Sequence, residues 1–266
     1  MSAVWEAPGP LAYDWPECRA VALLPGSLPM GGVVADTPVH AFAQTPEALR
    51  LDPALAIYPT RMDIALGGLM AFVIDQAVTD AEADAMVAAS EHLGFRDEAP
   101  GIVTPPGMRR NQSVHWLADE AMMAPLFARI GHLLPQTLEG VPLHPAFSHR
   151  LNMYRYTDGD VFNIHTDGSW PGYGLNADRS RMMEWPHSIH SGLTMLLYLN
   201  GPEDGVQGGN TRLFAPDGSA VDVQPRKGSA LFFRHGFGPH SVRHIGCRVS
   251  GPVAKYVARI NVMYGA

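Results

Sequence analysis

The chain has 266 residues, of which 46% are apolar and 17% are charged, and its formal net charge is −7. This composition excludes an intrinsically disordered chain, and the lack of any long basic block argues against a surface that binds nucleic acid. A small molecule, a peptide or a protein is therefore the better expectation for a partner.

The sequence also carries no pattern that predicts export or membrane insertion. Its N-terminus lacks the basic segment followed by an apolar segment that marks a secretory signal. No run approaches the ~18 consecutive apolar residues that a membrane-spanning helix needs. The two cysteines, Cys18 and Cys247, lie far apart and do not form a disulfide framework. We therefore expect a cytoplasmic protein that does not bind membranes.

The first 65 residues are rich in proline, glycine and alanine, as in VALLPGSLPMGG. They show no sustained period of 3.6 or 2 residues, and so short a segment supports only a marginal core of its own. We therefore predict that residues 1–65 form an extension of loops and short elements packed on a main domain, which spans residues 66–266.

Residues 66–140 are predicted to support this domain mainly with helices. The apolar run LMAFVID indicates a short strand because polar residues bound it on both sides. Thr79 and Glu82 then match a capping box, which predicts the start of a helix. Gly94 has the position of a glycine that ends a helix.

A second helix is predicted over about residues 119–134. Its apolar residues recur with a period of 3.6 and would form one buried face. Pro125 lies within this stretch, and proline fits only the first turn of a helix. The proline therefore predicts that the helix starts later than residue 119.

The pattern changes after residue 145, where short runs rich in aromatic and β-branched residues alternate with turn signals. These runs are RLNMYRY, DVFNIH, GLTMLLYLN, NTRLF, GSALFFRH and AKYVARINVMY. Six or more strands with no helical pattern between them predict an all-β sandwich or a jelly-roll barrel over residues 145–266. The expected fold class is thus mainly β with flanking helices, that is, α+β.

The stretch FNIHTDGSW places two metal-binding side chains on one strand. His165 and Asp167 share a face of an extended chain because side chains alternate with a period of two, so they can converge on one ion. An isolated pair of this kind can also be a polar turn at a strand end. A third ligand has to come from elsewhere, and the segment RHGFGPHSVRHIGC offers three candidates: His235, His240 and His244.

The residue types leave the metal open at this point. Two histidines and one carboxylate with open coordination positions suit non-haem Fe(II). Zn²⁺ with three protein ligands and one water fits the same residues.

The segment from His244 to Tyr264, HIGCRVSGPVAKYVARINVMY, resembles the last two barrel strands of Fe(II)/2-oxoglutarate-dependent dioxygenases of the prolyl 4-hydroxylase-like group. The shared features are the distal histidine, a glycine, a valine, a Lys-Tyr pair and an R-x-x-V-x-Y ending. Upstream, YRYTDGDVFNIHTDG is similar to the family's tyrosine, glycine turn and H-x-D motif. The runs LLYLN and GGNTRLF are similar to its next two strands. The segment MRRNQS is similar to an arginine-asparagine stretch that precedes the barrel in some relatives. The resemblance extends from about residue 70 to the end and implies a double-stranded β-helix of the jelly-roll or cupin-like type.

The sequence departs from the family's pattern at two positions. Lys255 follows His244 by eleven residues, one more than is common, and Asn261 stands where an aspartate is frequent. The longer spacing loosens the assignment of the basic residue.

The resemblance implies His165, Asp167 and His244 as the metal ligands. His240 is the second choice for the distal ligand, because its spacing from the Lys-Tyr pair is longer, and His235 is the third. The cation that binds the distal carboxylate of 2-oxoglutarate is expected to be Lys255, with Arg259 on the same strand face as the alternative. Two further residues, Tyr156 and Tyr198, resemble tyrosines that reach the co-substrate, although plain core positions would explain them equally well.

Substrate-binding residues are expected in two segments. The insertion of residues 169–191 follows the metal motif and is predicted to be a long loop that either closes over the substrate or packs on the barrel. The candidates in this insertion and in MRRNQS are Trp170, Arg179, Arg181, Arg110 and Asn111.

The activity that the resemblance implies is hydroxylation of an unactivated C–H bond, with dioxygen as oxidant and with succinate and CO₂ as co-products. The cofactors would be Fe(II) and 2-oxoglutarate, with ascorbate as reductant. The substrate would be an amino acid, a peptide or a secondary metabolite. Two alternative functions are a zinc-dependent hydrolase and a non-catalytic binding module on a cupin-like barrel. The activity of the hydrolase would not depend on 2-oxoglutarate, and the binding module would bind neither metal nor oxo acid.

Overall fold

The computed structural model describes residues 13–53, 55 and 57–266. Its helices within these ranges are α1 (Asp80–Leu93), α2 (Glu120–Ile130) and short 3-10 helices at Glu47–Leu49, Gly131–Leu133 and Pro202–Asp204. Its strands there are β1 (Cys18–Ser27), β2 (Val33–Phe42), β3 (Thr60–Asp63), β4 (Ala71–Asp75), β5 (Ala99–Pro100), β6 (Gln112–Leu117), β7 (Thr137–Leu138), β8 (Val141–Phe147), β9 (Arg150–Tyr156), β10 (Phe162–His165), β11 (Tyr173–Leu175), β12 (Met182–Glu184), β13 (His190–Tyr198), β14 (Gln207–Gly208), β15 (Thr211–Phe214), β16 (Ala220–Val223), β17 (Ala230–Arg234), β18 (Arg243–Gly246), β19 (Val249–Ser250) and β20 (Lys255–Tyr264).

Most of these strands belong to two sheets that face each other. The main sheet has the strand order β3-β4-β17-β13-β20-β9-β6-β2-β1-β5, and β8 pairs with β20 beside it. The small sheet has the order β10-β18-β15-β16. Residues of both sheets share one apolar cluster, which includes Tyr154, Val257 and Phe233 of the main sheet and Leu213 of the small sheet. The mainly β class and the double-stranded β-helix are therefore confirmed, although no continuous ring of paired strands closes a barrel within the described ranges.

Strand β20 lies at the centre of the main sheet and is buried on both faces along all ten residues. Its residues at even positions, such as Ala258 and Ile260, belong to the large apolar core that also contains residues of both helices. Because side chains alternate along a strand, the odd positions point to the other face, toward the small sheet. These odd positions include Lys255, Val257 and Arg259, so the sequence places two cations on the inner face of the fold.

The helices pack on the outer face of the main sheet. The predicted capping box of α1 is confirmed, because the Thr79 hydroxyl accepts a hydrogen bond from the Glu82 amide and the Glu82 carboxylate accepts one from the Thr79 amide. Gly94 follows the last residue of the helix, as predicted, and its φ of +88° lies in the left-handed region that favours glycine. Neither of the two described helices has the length and continuous apolar character of a membrane-spanning segment.

The second helix starts one residue after position 119, but not late enough to place Pro125 in its first turn. Helix α2 begins at Glu120, and Pro125 is its sixth residue, in the second turn. The proline removes only one backbone hydrogen bond, whereas the helix buries an apolar face that includes Met122, Met123 and Leu126. The burial of that face outweighs the lost bond, at about 1.5–3 kcal/mol for each large apolar side chain.

The described part of residues 1–65 contains longer strands than its composition indicates. Strands β1 and β2 have ten residues each, and β2 runs parallel to β6 and so extends the main sheet. The expectation of loops and short elements is therefore wrong, because edge strands and bulges tolerate the proline and glycine that hide a period of two. Register shifts do occur in β1, between Ala20 and Ala22 and between Leu24 and Gly26. The boundary at residue 65 stays a prediction.

The insertion of residues 169–191 also has regular structure. Strands β11 and β12 form a hairpin within it, and Pro171 bridges to His190. Tyr173, Leu175 and Met182 of this hairpin pack on an apolar cluster that contains Leu117 of β6. The insertion is thus anchored to the main sheet and is not the irregular loop that the sequence predicted.

Candidate metal site

Two strands of the small sheet and the residues after them bring together one group of metal-binding side chains. Strands β10 and β18 are antiparallel, and their register places His165 opposite His244. Asp167 follows β10 and turns back, so that its Oδ1 lies 3.7 Å from His165 Nε2. The ligand atoms of these three residues all lie within 4.8 Å of one another.

The hydrogen bonds of both histidines leave the same ring nitrogen free. His165 Nδ1 lies 2.6 Å from the Asn163 carbonyl, and His244 Nδ1 lies 3.2 Å from the Val242 carbonyl. A carbonyl can only accept, so each Nδ1 carries the proton and each Nε2 keeps its lone pair. Burial and the neighbouring His165 lower the pKa of His244 to about 3, which keeps this imidazole neutral, the form that binds metal.

Asp167 is held by two donors from the main sheet. Its Oδ2 accepts a hydrogen bond of 2.6 Å from the Thr194 hydroxyl and one of 3.0 Å from Arg259 Nε. Burial alone would raise the pKa of this carboxyl, but the charge of Arg259 and the hydrogen bond from the Thr194 hydroxyl lower it well below its usual range. The group is therefore ionised, and its Oδ1 is directed toward the histidines.

Thr194 connects the carboxylate to a further histidine. Because its hydroxyl donates to Asp167, it accepts from His235 Nδ1, at 2.9 Å. His235 therefore lies behind the group of three and supports it through Thr194. His240 is exposed on the loop before β18. Thr194 is not among the predicted site residues, because a single hydroxyl in an apolar strand gives no signal of such a role.

These residues fit an iron ion. Two imidazole nitrogens and one carboxylate oxygen point to a common space, and their remaining polar atoms are already bonded to the protein. Such a set of donors on one side of an ion leaves positions open on the other side, as non-haem Fe(II) sites require. The supporting hydrogen bonds fix the side-chain orientations before any metal binds.

The cavity at this group extends to Lys255. Its walls include residues of both sheets: Tyr154, Tyr156, Phe162, Leu196, Thr211, Gly246, Val257 and Arg259. Lys255 is 3% exposed, and its Nζ donates a hydrogen bond of 2.5 Å to the Gly209 carbonyl. No carboxylate among the described residues forms an ion pair with it, and burial lowers its pKa to about 8.

Aromatic rings surround this lysine. Its Nζ lies 5.3 Å from the ring centre of Tyr156 and 5.4 Å from that of Tyr198. Tyr156 lines the cavity, whereas the Tyr198 hydroxyl donates to Thr211 Oγ1 at 2.8 Å. Tyr154, two residues before Tyr156 on the same face of β9, also lines the cavity. Tyr154 is not among the predicted site residues, although the period of two places it on the same strand face as Tyr156.

A second cleft of about 220 Å³ opens on the other side of His165 and Asp167. Its walls include Trp170 and the segment from Ile102 to Pro105. Of the five residues predicted to bind substrate, the structure brings only Trp170 to this place.

The other four predicted residues lie elsewhere. Arg179 donates to the Asp119 carboxylate at 2.6 Å and to the Phe42 carbonyl, so it anchors the insertion to the start of α2. Arg181 and Arg110 are exposed, and neither lines the cavity or the cleft. Asn111 is buried, and its amide donates to the Gln112 carbonyl.

Comparison with known proteins identifies the family of this region. Residues 151–262 match the model of the 2OG-Fe(II) oxygenase superfamily. No curated protein sequence matches the chain.

Solved structures show the same fold. A viral collagen prolyl hydroxylase from Paramecium Bursaria Chlorella virus-1, in complex with 2OG, is 18% identical with a TM-score of 0.50, covering 75% of this chain and 98% of its own. A prolyl hydroxylase from Trichoplax adhaerens, in complex with a peptide fragment of the hypoxia inducible factor oxygen degradation domain, is 15% identical with a TM-score of 0.50. That comparison covers 73% of this chain and 83% of the other.

The group of three side chains predicts the effect of single substitutions on metal binding. In His165→Ala and in Asp167→Ala, we expect the affinity for Fe(II) to fall by more than the roughly 10–100-fold that loss of a supporting hydrogen bond causes. The measurement is anaerobic titration of the purified protein with Fe(II). His240→Ala is the control and should bind Fe(II) like the wild type, because its side chain is exposed. Unchanged Fe(II) affinity in both alanine variants of the group would show that the metal binds elsewhere.

Proposed function

Residues 151–262 form a 2OG-Fe(II) oxygenase domain, and from this premise we propose that the protein hydroxylates an unactivated C–H bond of a small molecule or peptide, consuming dioxygen and 2-oxoglutarate. Succinate and CO₂ are the co-products. The metal ligands in this proposal are His165, Asp167 and His244. The observation that supports it best is that this group and an unpaired buried lysine line the same cavity.

Lys255 is the proposed anchor for the distal carboxylate of 2-oxoglutarate. A buried cation without an anionic partner is unfavourable, and a bound carboxylate would supply that partner. The phenolic groups of Tyr156 and Tyr198 cannot do so, because burial raises the pKa of both well above neutrality.

Arg259 was the alternative anchor, and its contacts favour a different role. Its Nε donates to Asp167, and its charge keeps that carboxylate ionised. Binding of an oxo acid by Arg259 would share one cation between two buried carboxylates and leave the Lys255 ammonium without an anion. In our proposal Arg259 therefore positions the metal ligand, and Lys255 binds the oxo acid.

The residues divide the remaining work between the two sides of the site. Iron, when bound, supplies the activation of dioxygen that is coupled to decarboxylation of the oxo acid. Lys255 and the tyrosines orient the oxo acid in a cavity that excludes water. The cleft beside Trp170 and Ile102 holds the substrate so that one C–H bond faces the metal group. Ascorbate as reductant and a cytoplasmic location are further parts of this proposal.

The proposed role of Lys255 as the anchor for 2-oxoglutarate predicts the effect of Lys255→Met. This change keeps the length of the side chain and removes its charge, so we expect the KM for 2-oxoglutarate to rise by roughly 30-fold or more. The measurement is succinate release by the Fe(II)-loaded enzyme, in the absence of added substrate, as a function of 2-oxoglutarate concentration.

Lys227→Met is the matched control, because Lys227 is the one other lysine of the sequence and forms ion pairs with Asp84 and Asp204 outside the cavity. It should leave the KM for 2-oxoglutarate unchanged. If Lys255→Met had a normal KM and Arg259→Lys a raised one, the assignment of the anchor would be wrong.

The lowered pKa of Lys255 also predicts how oxo-acid binding depends on pH. The ammonium form binds a carboxylate, and this form disappears in the empty cavity as the pH rises through about 8. The other titratable groups around Lys255 are Tyr156, Tyr198 and Cys247, whose pKa values are all raised, so they are neutral at that pH. We expect the ratio of dissociation constants between Lys255→Met and the wild type to be constant below about pH 7 and to fall toward one above pH 8. Titration of 2-oxoglutarate into the Mn(II)-loaded proteins from pH 6.5 to pH 9.5 measures it, and a ratio independent of pH would contradict the role of the ammonium group.

A further inference from the structure

The inner face of the main sheet continues beyond the candidate metal site as a buried polar surface. Arg150 and Asn152 precede Tyr154 on the same face of β9, because they lie at positions separated by two. The sheet register places His115 of β6 opposite Asn152, and Arg259 of β20 opposite the same residue. All four side chains are less than 10% exposed. This polar surface lies at the opposite end of the face from Lys255.

Arg150 carries a buried charge without an anionic partner among the described residues. Its Nη2 donates to the Pro100 carbonyl at 2.6 Å and lies 2.9 Å from His115 Nδ1. Its guanidinium carbon lies 5.4 Å from the ring centre of Tyr173. Its Nε is buried and has no hydrogen-bond partner. The carbonyl and the ring do not neutralise a full charge, so this arginine needs an anion.

His115 supplies a second unused donor beside Arg150. A guanidinium group can only donate, so His115 Nδ1 accepts and the proton of the neutral ring is on Nε2. That Nε2 is buried and has no partner. Burial and the charge of Arg150 lower the pKa of His115 well below its usual value, which agrees with a neutral ring. Arg150 Nε and His115 Nε2 are thus two buried donors without an acceptor, on residues that contact each other.

Further polar atoms in the same region are also unsatisfied. Asn152 Oδ1, Asn261 Oδ1 and Arg259 Nη2 are buried without partners. Native proteins satisfy nearly all of their buried polar groups, and each orphaned one costs about 1–3 kcal/mol. Five such atoms on one face, one of them on Arg259, which also lines the cleft, indicate that a polar ligand completes the surface.

The position of Arg150 connects this surface to the cleft. Pro100 and Gly101 cover its guanidinium, and a methyl group added at Gly101 would lie 3.6 Å from Arg150 Nη2. The chain continues from Gly101 to Ile102 and the other wall residues of the cleft. Tyr173, on the opposite side, belongs to the insertion that also supplies Trp170. The segments that line the cleft therefore also enclose Arg150.

We propose that Arg150 binds a carboxylate of the substrate and that Asn152 accepts a hydrogen bond from an adjacent N–H or O–H group. The substrate class is then a carboxylic acid with a neighbouring donor, such as an α-amino or α-hydroxy acid. This inference rests on the proposed function, because it concerns the substrate of the same site. It also supplies an anion for Arg150, since the distal carboxylate of the oxo acid neutralises only Lys255.

A calorimetric comparison of acids with their carboxamides tests this inference. The protein is loaded with Mn(II) and 2-oxoglutarate without oxygen, so that no turnover occurs. The probes are the common α-amino acids and the corresponding α-hydroxy acids, each with its carboxamide. We expect at least one free acid to bind and its carboxamide to bind roughly 30-fold or more weakly.

Variants then assign the effect to Arg150. Arg150→Gln should weaken binding of that acid by about tenfold or more and leave binding of 2-oxoglutarate unchanged. Asn152→Asp keeps Arg150 and places a carboxylate beside it, so this variant should also exclude the acid. It tests the inference even if Arg150→Gln fails to fold. Arg212→Gln is the control, because Arg212 is half-exposed and paired with Asp222 on the outer strands of the small sheet.

Three results would overturn the inference and leave the proposed function intact. The first is that an acid and its carboxamide bind with equal affinity. The second is that both Arg150→Gln and Asn152→Asp bind the acid as the wild type does. The third is that the protein binds 2-oxoglutarate but none of the acids. Failure of the wild type to bind Mn(II) and 2-oxoglutarate would refute the proposed function, and this inference with it.

Discussion

The ion pair between Arg259 and Asp167 connects the two sheets of the fold at the point where the metal ligands meet. Arg259 comes from the centre of the main sheet, and Asp167 follows a strand of the small sheet. Both side chains are largely buried, so neither charge would be tolerated without the other. The pair, with the hydroxyl of Thr194, fixes one carboxylate oxygen and leaves the other for a metal. The geometry of the whole site depends on this single contact.

The same ion pair determines how the other charges in the interior can be used. Because Arg259 is paired with Asp167, Lys255 at one end of the inner face and Arg150 at the other remain without anions among the described residues. Two such cations at opposite ends of the inner face suit two separate anionic ligands. One of them is the oxo acid in our proposal, and the other is the carboxylate of the substrate.

The sequence predicted the parts of the site that are encoded locally. His165 and Asp167 share a strand face because side chains alternate, and His244 and Lys255 were predicted from the family resemblance of the C-terminal segment. The contributions of Thr194, His115 and Arg150 could not be predicted, because they depend on the register between strands that are distant in sequence. A polar residue within an apolar strand has no local signal that distinguishes support of a ligand from an ordinary buried hydrogen bond.

The fold could be predicted to a similar extent. Runs of aromatic and β-branched residues between turn signals predicted the strands after residue 145, and the capping box predicted the start of α1. Strands β1 and β2 were not predicted, because their prolines, glycines and bulges interrupt the alternation that identifies a strand. The insertion that carries Trp170 was predicted as irregular because its two strands have only three residues each. Its hairpin is stabilised by packing on the main sheet, which no local pattern shows.

The division of roles between the two inner cations of β20 is the central claim, and a crystal structure grown without oxygen in the presence of Mn(II) and 2-oxoglutarate tests it most directly. Our account predicts that Asp167 binds the metal through Oδ1, that its Oδ2 stays bonded to Thr194 and Arg259, and that Lys255 contacts the distal carboxylate of the oxo acid. A structure in which Arg259 has left Asp167 to bind the oxo acid, with Lys255 still bonded only to the Gly209 carbonyl, would contradict it.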